Sequence, residues 1–182
     1  MKELSLNILD VAKNSVRAGA TRIEISVSTD ADGWLTLKII DNGCGMDAET
    51  LKNVTDPFYT TRTTRKVGLG LPLLKLAAEQ TGGSLCLTSN TEKGSSGTVL
   101  SAVFDTKSID CMPMGDIVST VCILIAGSPE IDFEFTDTAP DRSVLLKTSE
   151  LREVLGNISL AEPEVQIWLK EYLTEQYSAS QT

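Results

Sequence analysis

Histidine is missing from all 182 residues of this chain, and cysteine is sparse. Cys44, Cys86, Cys111 and Cys122 stand far apart, with no C-x-x-C pair among them. Structural zinc is held by closely spaced Cys and His ligands, so no zinc site is expected. The four thiols read as reduced cysteines of a reducing compartment. No apolar run reaches about 18 residues, so no membrane-spanning helix is expected. The opening M-K-E-L-S-L-N lacks the apolar core of a secretory signal. The expectation is a cytoplasmic protein with no membrane partner.

Positive charge is scarce in the second part of the chain. Residues 1–107 carry 12 Lys+Arg and 12 Asp+Glu, whereas residues 108–182 carry 4 and 13, so the whole net charge of −9 lies beyond Lys107. That asymmetry suggests two parts, 1–107 and 108–182. An acidic second part argues against nucleic acid as its partner, because phosphates need cations opposite them. The same acidity also serves solubility. The length suffices for one domain or a domain with a small module, and 41% hydrophobic with 23% charged residues is a globular composition.

What is present is concentrated near the start. Leu4, Ile8, Val11, Ala12 and Val16 recur at helical spacing and predict a helix over 3–18, stopped by Gly19. Asn7, Asp10, Asn14 and Arg17 fall on one polar stripe of about 80°. A solvated face is the ordinary fate of such a stripe, but Leu6 and Leu9 flank it, and a cleft wall fits the motifs downstream. Alternation over 22–28 and 34–40, around D-A-D-G, predicts a hairpin. The second strand runs into D-N-G-C-G-M, Asp41 to Met46. A short helix over 47–54 follows, then D-P-F-Y-T-T-R-T-T-R-K-V-G-L-G-L-P, Asp56 to Pro72. The threonine-rich stretch with glycines behind it is a poor helix former and reads as a loop over 60–68. Arg62, Arg65 and Lys66 there are suited to phosphate oxygens, or to a merely solvated basic loop. Gly68 and Gly70 precede a helix over 71–80, whose amides offer an anion site. Strands are expected at 84–89 and 98–104.

The order of these pieces, closing with Gly82-Gly83 and Gly97-Thr98, resembles the GHKL family of ATP-binding proteins (gyrase, histidine kinase, MutL), and most of all the ATP-binding domain of histidine kinases. The resemblance covers about residues 3–105. It implies an α+β fold: a two-layer α/β sandwich of the Bergerat type, a mixed sheet with helices on one face, here with a small acidic α+β C-terminal module. It implies ATP and Mg²⁺ as cofactors. Asp41 would read the adenine amino group, with Gly43, Gly45 and Met46 lining the base and Thr98 helping to hold Asp41. Asn14 would bind the magnesium ion and Arg17 the phosphates. Phe58, Thr60, Thr61, Arg62, Lys66, Gly68, Leu69, Gly70 and Leu71 would complete the ATP contacts as lid and helix start. Lys66 stands where similar kinases carry the first glycine of G-x-G-x-G-L. The stretch G-L-G-L-P-L also resembles mitochondrial protein kinases, and A-G-A-T at Ala18 to Thr21 resembles MutL.

Asp10 occupies the place of a general-base Glu in hydrolysing members and in anti-sigma serine kinases. It is shorter by one methylene, and serves either as the base or only to orient water near Mg²⁺. With no histidine, the chain cannot phosphorylate itself on His in cis. The resemblance therefore implies a kinase acting on a partner protein in trans; the alternatives are an ATP-dependent regulatory binding module and a slow MutL-like ATPase. Expected partners are ATP or ADP and a protein partner or phosphoacceptor; a homodimer is compatible with the sequence. Residues 108–182 carry no recognised motif. Helices are expected over 114–125, 149–155 and 163–177, with a hairpin around Pro140. On the last helix Val165, Trp168, Leu169 and Tyr172 share one face, read as core or docking surface.

Overall fold

The computed structural model describes residues 3–56 and 70–179. Among the described residues, six strands form one sheet in the order β3-β4-β2-β1-β5-β6. The strands are β1 (Arg22–Thr29), β2 (Trp34–Asp41), β3 (Ser84–Asn90), β4 (Gly97–Asp105), β5 (Asp132–Ala139) and β6 (Arg142–Lys147). β1 and β5 are parallel; every other neighbouring pair is antiparallel. The period-2 pattern sets one face inward. Ile23, Ile25 and Val27 of β1 align with Leu37 and Ile39 of β2, with Leu100, Ala102 and Phe104 of β4 beyond and with Phe133 and Phe135 of β5 on the other side, all buried. The architecture is the expected mixed sheet with helices, α+β.

Helices α1 (Leu4–Arg17), α2 (Ala48–Asn53), α3 (Gly70–Gln80), α4 (Ile117–Gly127), α5 (Thr148–Leu155) and α6 (Pro163–Ala179) match the expected ones to within a few residues. On α1, Leu4, Ile8, Val11 and Ala12 are buried as their spacing predicts. α4 starts three residues later than expected. Gly115 holds a left-handed φ of 76°, and the Asp116 carboxylate caps the helix by accepting from the Ser119 amide at 2.8 Å. A bond from the Ser119 side chain, and then this one from its amide, hold the Asp116 carboxyl below its usual range. On α6 the buried face is Val165, Leu169 and Leu173 rather than the expected set. Trp168 is 45% exposed and stacks on Tyr172 with ring centroids 5.0 Å apart.

The acidic part continues the sheet of the basic-acidic balanced part, because β5 pairs along the whole of β1. It also touches α1. The Leu4 and Ser5 amides, free donors of the first helical turn, give their protons to the carbonyls of Pro113 and Met114 at 2.9 and 2.8 Å. α4 packs between α1 and α6, burying Ile117, Val121, Leu124 and Ile125. The polar stripe on α1 is thereby split. Asn7, 2% exposed, is turned into this packing, with its amide nitrogen bonded to the Glu3 carbonyl and 3.9 Å from the Met112 sulfur. It takes no part in a cleft wall.

Candidate functional site

A cavity of about 320 Å³ opens between α1, the loop after β2, α2, the start of α3, and the ends of β3 and β4. That is the lower end of the range for small-molecule sites. Its walls are mostly apolar: Val11 from α1, Ile39 from β2, Met46, Leu71, Leu87 and Leu100. Polar groups enter at two places. Asp41 and Thr98 lie side by side within the cavity lining, since β2 and β4 pair them in register. Asn14 and Arg17 stand a turn apart on α1, with the Arg17 guanidinium donating to Asn14 Oδ1 at 2.9 Å.

Asp41 is held from two directions. Ser15 Oγ donates to its Oδ2 at 2.6 Å, and the Gly43 amide donates to its Oδ1 at 2.9 Å. Both carboxylate oxygens keep further lone pairs for a ligand donor. The loop that follows needs its glycines. Gly45 has φ 72°, and a Cβ there would overlap the Asn90 carbonyl oxygen. Met46 is anchored by its amide, which donates to Ser89 Oγ at 2.8 Å. The Asp47 side chain accepts from the Thr50 amide at 2.7 Å, starting α2, and this bond holds the Asp47 carboxyl below its usual range.

Of the sequence-predicted residues, Asn14, Arg17, Asp41, Gly45, Met46, Gly70, Leu71 and Thr98 line this one cavity. Gly43 is buried behind Asp41 and acts through its amide. Asp10 does not line the cavity. Its carboxylate lies against Gly70, where any Cβ would overlap Oδ2, so Asp10 sits where α1 meets the start of α3. Thr98 differs from expectation: its hydroxyl lies 2.9 Å from Ser89 Oγ, and the support expected of it for Asp41 comes from Ser15 and Gly43. Phe58, Thr60, Thr61, Arg62, Lys66, Gly68 and Leu69 lie outside the described residues. The sequence reading missed Ser15 and Ser89. Ser15 lies one residue past Asn14, off the polar stripe, and Ser89 was one more alternating residue of a strand; only the pairing of strands shows what either touches.

A floor of acceptors beside apolar walls suits a flat ring with an amino edge. Asn14 and Arg17 add an amide oxygen and a cation to the same lining. Residues 2–107 match the family model for the histidine kinase-, DNA gyrase B- and HSP90-like ATPases. That match takes in more than half of the chain, and the protein belongs to this family, as an ATPase domain of the histidine kinase type. Among curated proteins, it is 40% identical over 75 residues to the signal transduction histidine-protein kinase AtoS of Escherichia coli, covering 40% of this chain and 12% of that one. It is 32% identical over 93 residues to sporulation kinase D of Bacillus subtilis, covering 50% and 18%. The chain thus spans less than a fifth of these relatives. Among solved structures, the N-terminal domain of a DNA repair protein superposes with a TM-score of 0.58 at 16% identity, over 81% of this chain and 53% of that one. The Aquifex aeolicus MutL ATPase domain complexed with ADP gives 0.52 at 17%, over 85% and 68%. Both show the same fold, and their coverage runs past residue 107. No described helix is long and apolar enough to cross a membrane.

Proposed function

We propose that this protein binds Mg·ATP in the cavity between α1 and the β2–β4 ends and passes the γ-phosphate to a partner protein in trans. The observation that carries the reading is the placement of two unlike polar sets in one apolar cavity. Asp41 is held by Ser15 and the Gly43 amide, and the Asn14–Arg17 pair lines the same cavity. The adenine amino group donates to Asp41 while Ile39, Leu87, Leu100 and Met46 pack on the ring. Arg17, exposed on α1, meets phosphate oxygens. The donor set also suits magnesium: a hard cation that takes most of its ligands from phosphate and water needs little from the protein, and the Asn14 side-chain oxygen, which accepts from Arg17, would be its ligand. When bound, the ion would neutralise charge on the phosphates. Asp10 accepts the proton of the attacking group, from the junction of α1 and α3.

A histidine phosphoacceptor would have to lie on another molecule or segment, since none of the 182 residues is histidine. Incubation with γ-labelled ATP and a cell extract tests the reading: a labelled partner protein supports it, and label released only as inorganic phosphate counts against transfer.

One observation favours a second reading, a nucleotide-dependent binding module with little or no transfer. The carbonyls of Pro113 and Met114 cap the helix that bears Asn14 and Arg17. A change in α1 on nucleotide binding would reach the acidic part directly, and that part would then engage or release its partner.

A further inference from the structure

One row of side chains crosses three strands at the floor of the cavity. Strand register pairs Asp41 of β2 with Thr98 of β4, and Thr98 with Ser89 of β3. Ser89 Oγ has three partners. It accepts from the Met46 amide at 2.8 Å, lies 2.8 Å from the Gly97 carbonyl oxygen, and lies 2.9 Å from Thr98 Oγ1. A carbonyl oxygen can only accept, so the single Ser89 proton goes to Gly97. The Ser89–Thr98 contact must then use the Thr98 proton. With that proton turned toward Ser89, Thr98 Oγ1 offers the cavity lone pairs only. The Asp41 carboxylate beside it also offers only lone pairs.

We propose that Ser89 is a positioning residue that fixes the hydrogen-bond polarity of this floor. Through Thr98 it makes the site accept a 6-aminopurine and reject a 6-oxopurine. The inference rests on the nucleotide reading above and adds to it the residue that enforces the discrimination. The exocyclic oxygen of a 6-oxopurine facing these two acceptors finds no proton and meets lone pairs where the amino group would donate, which sites built on hydrogen bonds penalise heavily. Without Ser89, the Thr98 hydroxyl can rotate and donate its proton to that oxygen.

The test is calorimetric titration of the full chain with ATP and with ITP, which differ at this purine edge. The wild-type protein is expected to prefer ATP by about 100-fold. Ser89→Ala should bring that ratio down by about tenfold, and Ser89→Thr, which keeps a hydroxyl, should restore it. If Ser89→Ala does not fold, Thr98→Val takes its place, and the ratio should fall there too. An unchanged ratio in a folded variant, or equal weakening of both nucleotides, overturns the role of Ser89 and leaves ATP binding standing. Failure of the wild-type protein to bind either nucleotide overturns the nucleotide reading itself.

Discussion

Ser15 on α1 gives its hydroxyl proton to Oδ2 of Asp41 at the end of β2, across 2.6 Å. The neighbouring residue on the same helix, Asn14, lines the cavity with Arg17. One helix therefore positions both polar sets of the site. Ser15 is 4% exposed, so its removal leaves the carboxylate short of one partner in a place water cannot readily fill. A hydrogen bond to a charged group contributes about 1.5–3 kcal/mol. Ser15→Ala should weaken ATP binding by about tenfold, read by calorimetry, with circular dichroism unchanged.

Asp10 and the cavity have separate roles in this account. Its carboxylate abuts Gly70 and stays out of the cavity lining. Asp10→Asn should leave ATP affinity within about twofold while removing turnover or phosphotransfer, a general-base loss of about 10²-fold or more. Parallel calorimetry and phosphate-release assays separate the two effects. Wild-type turnover in the variant would remove Asp10 from the base role.

Cutting the chain at Lys107 should be costly. It would uncover the whole length of β1 that β5 pairs with, and would strip the Leu4 and Ser5 amides of their carbonyl partners. It would also expose the inward face of α1 that α4 covers. The fragment 1–107 should melt well below the full chain and bind an apolar dye, as exposed core surface does. An equal melting temperature would show that the first part stands alone.

The acidic part carries its own buried polar cluster. Asp137, 1% exposed, takes two bonds on Oδ1 from Arg142 and one on Oδ2 from the Tyr177 hydroxyl at 2.8 Å, tying the end of α6 to the β5–β6 hairpin. Burial first, then the Asp137 charge and hydrogen bond, push the Tyr177 hydroxyl far above the ordinary tyrosine range. In the unfolded chain the hydroxyl ionises near pH 10. The cluster's contribution is therefore complete below about pH 10 and falls away as pH rises from there toward the folded value. Tyr177→Phe should lower the urea midpoint at pH 7 by the equivalent of about 1 kcal/mol. The gap between wild type and variant should narrow above pH 10. A gap that is constant with pH would contradict this.

The sequence made much of this legible because its patterns are local. Alternation placed β1 and β2 within a residue, helical spacing placed α1 and α6, and Asp41-to-Met46 with Gly97-Thr98 marked one end of the cavity. Less legible were relations between distant segments. Nothing in β5 announces a parallel partner 110 residues upstream, as Arg22 with Asp132. A composition break at Lys107 reflects charge on surfaces, while the sheet continues through it because backbone pairing ignores side-chain charge. Asn7 sat on the polar stripe by spacing alone, and only the segment around Met112 shows that it is buried. Ser15 and Ser89 were invisible for the same reason: a hydroxyl takes its meaning from what the fold brings within 3 Å.

The central claim is that Asp41 grips one end of a nucleotide whose other end meets Asn14. Calorimetric titration of Mg·ATP into wild-type protein and Asp41→Asn tests it most directly. The substitution puts an amide donor where the base offers its own donor and disturbs the bonds from Ser15 and the Gly43 amide. Saturable binding by the wild type, with no measurable heat from Asp41→Asn in a chain that remains folded, is the predicted result; equal affinity in the two proteins would contradict the account.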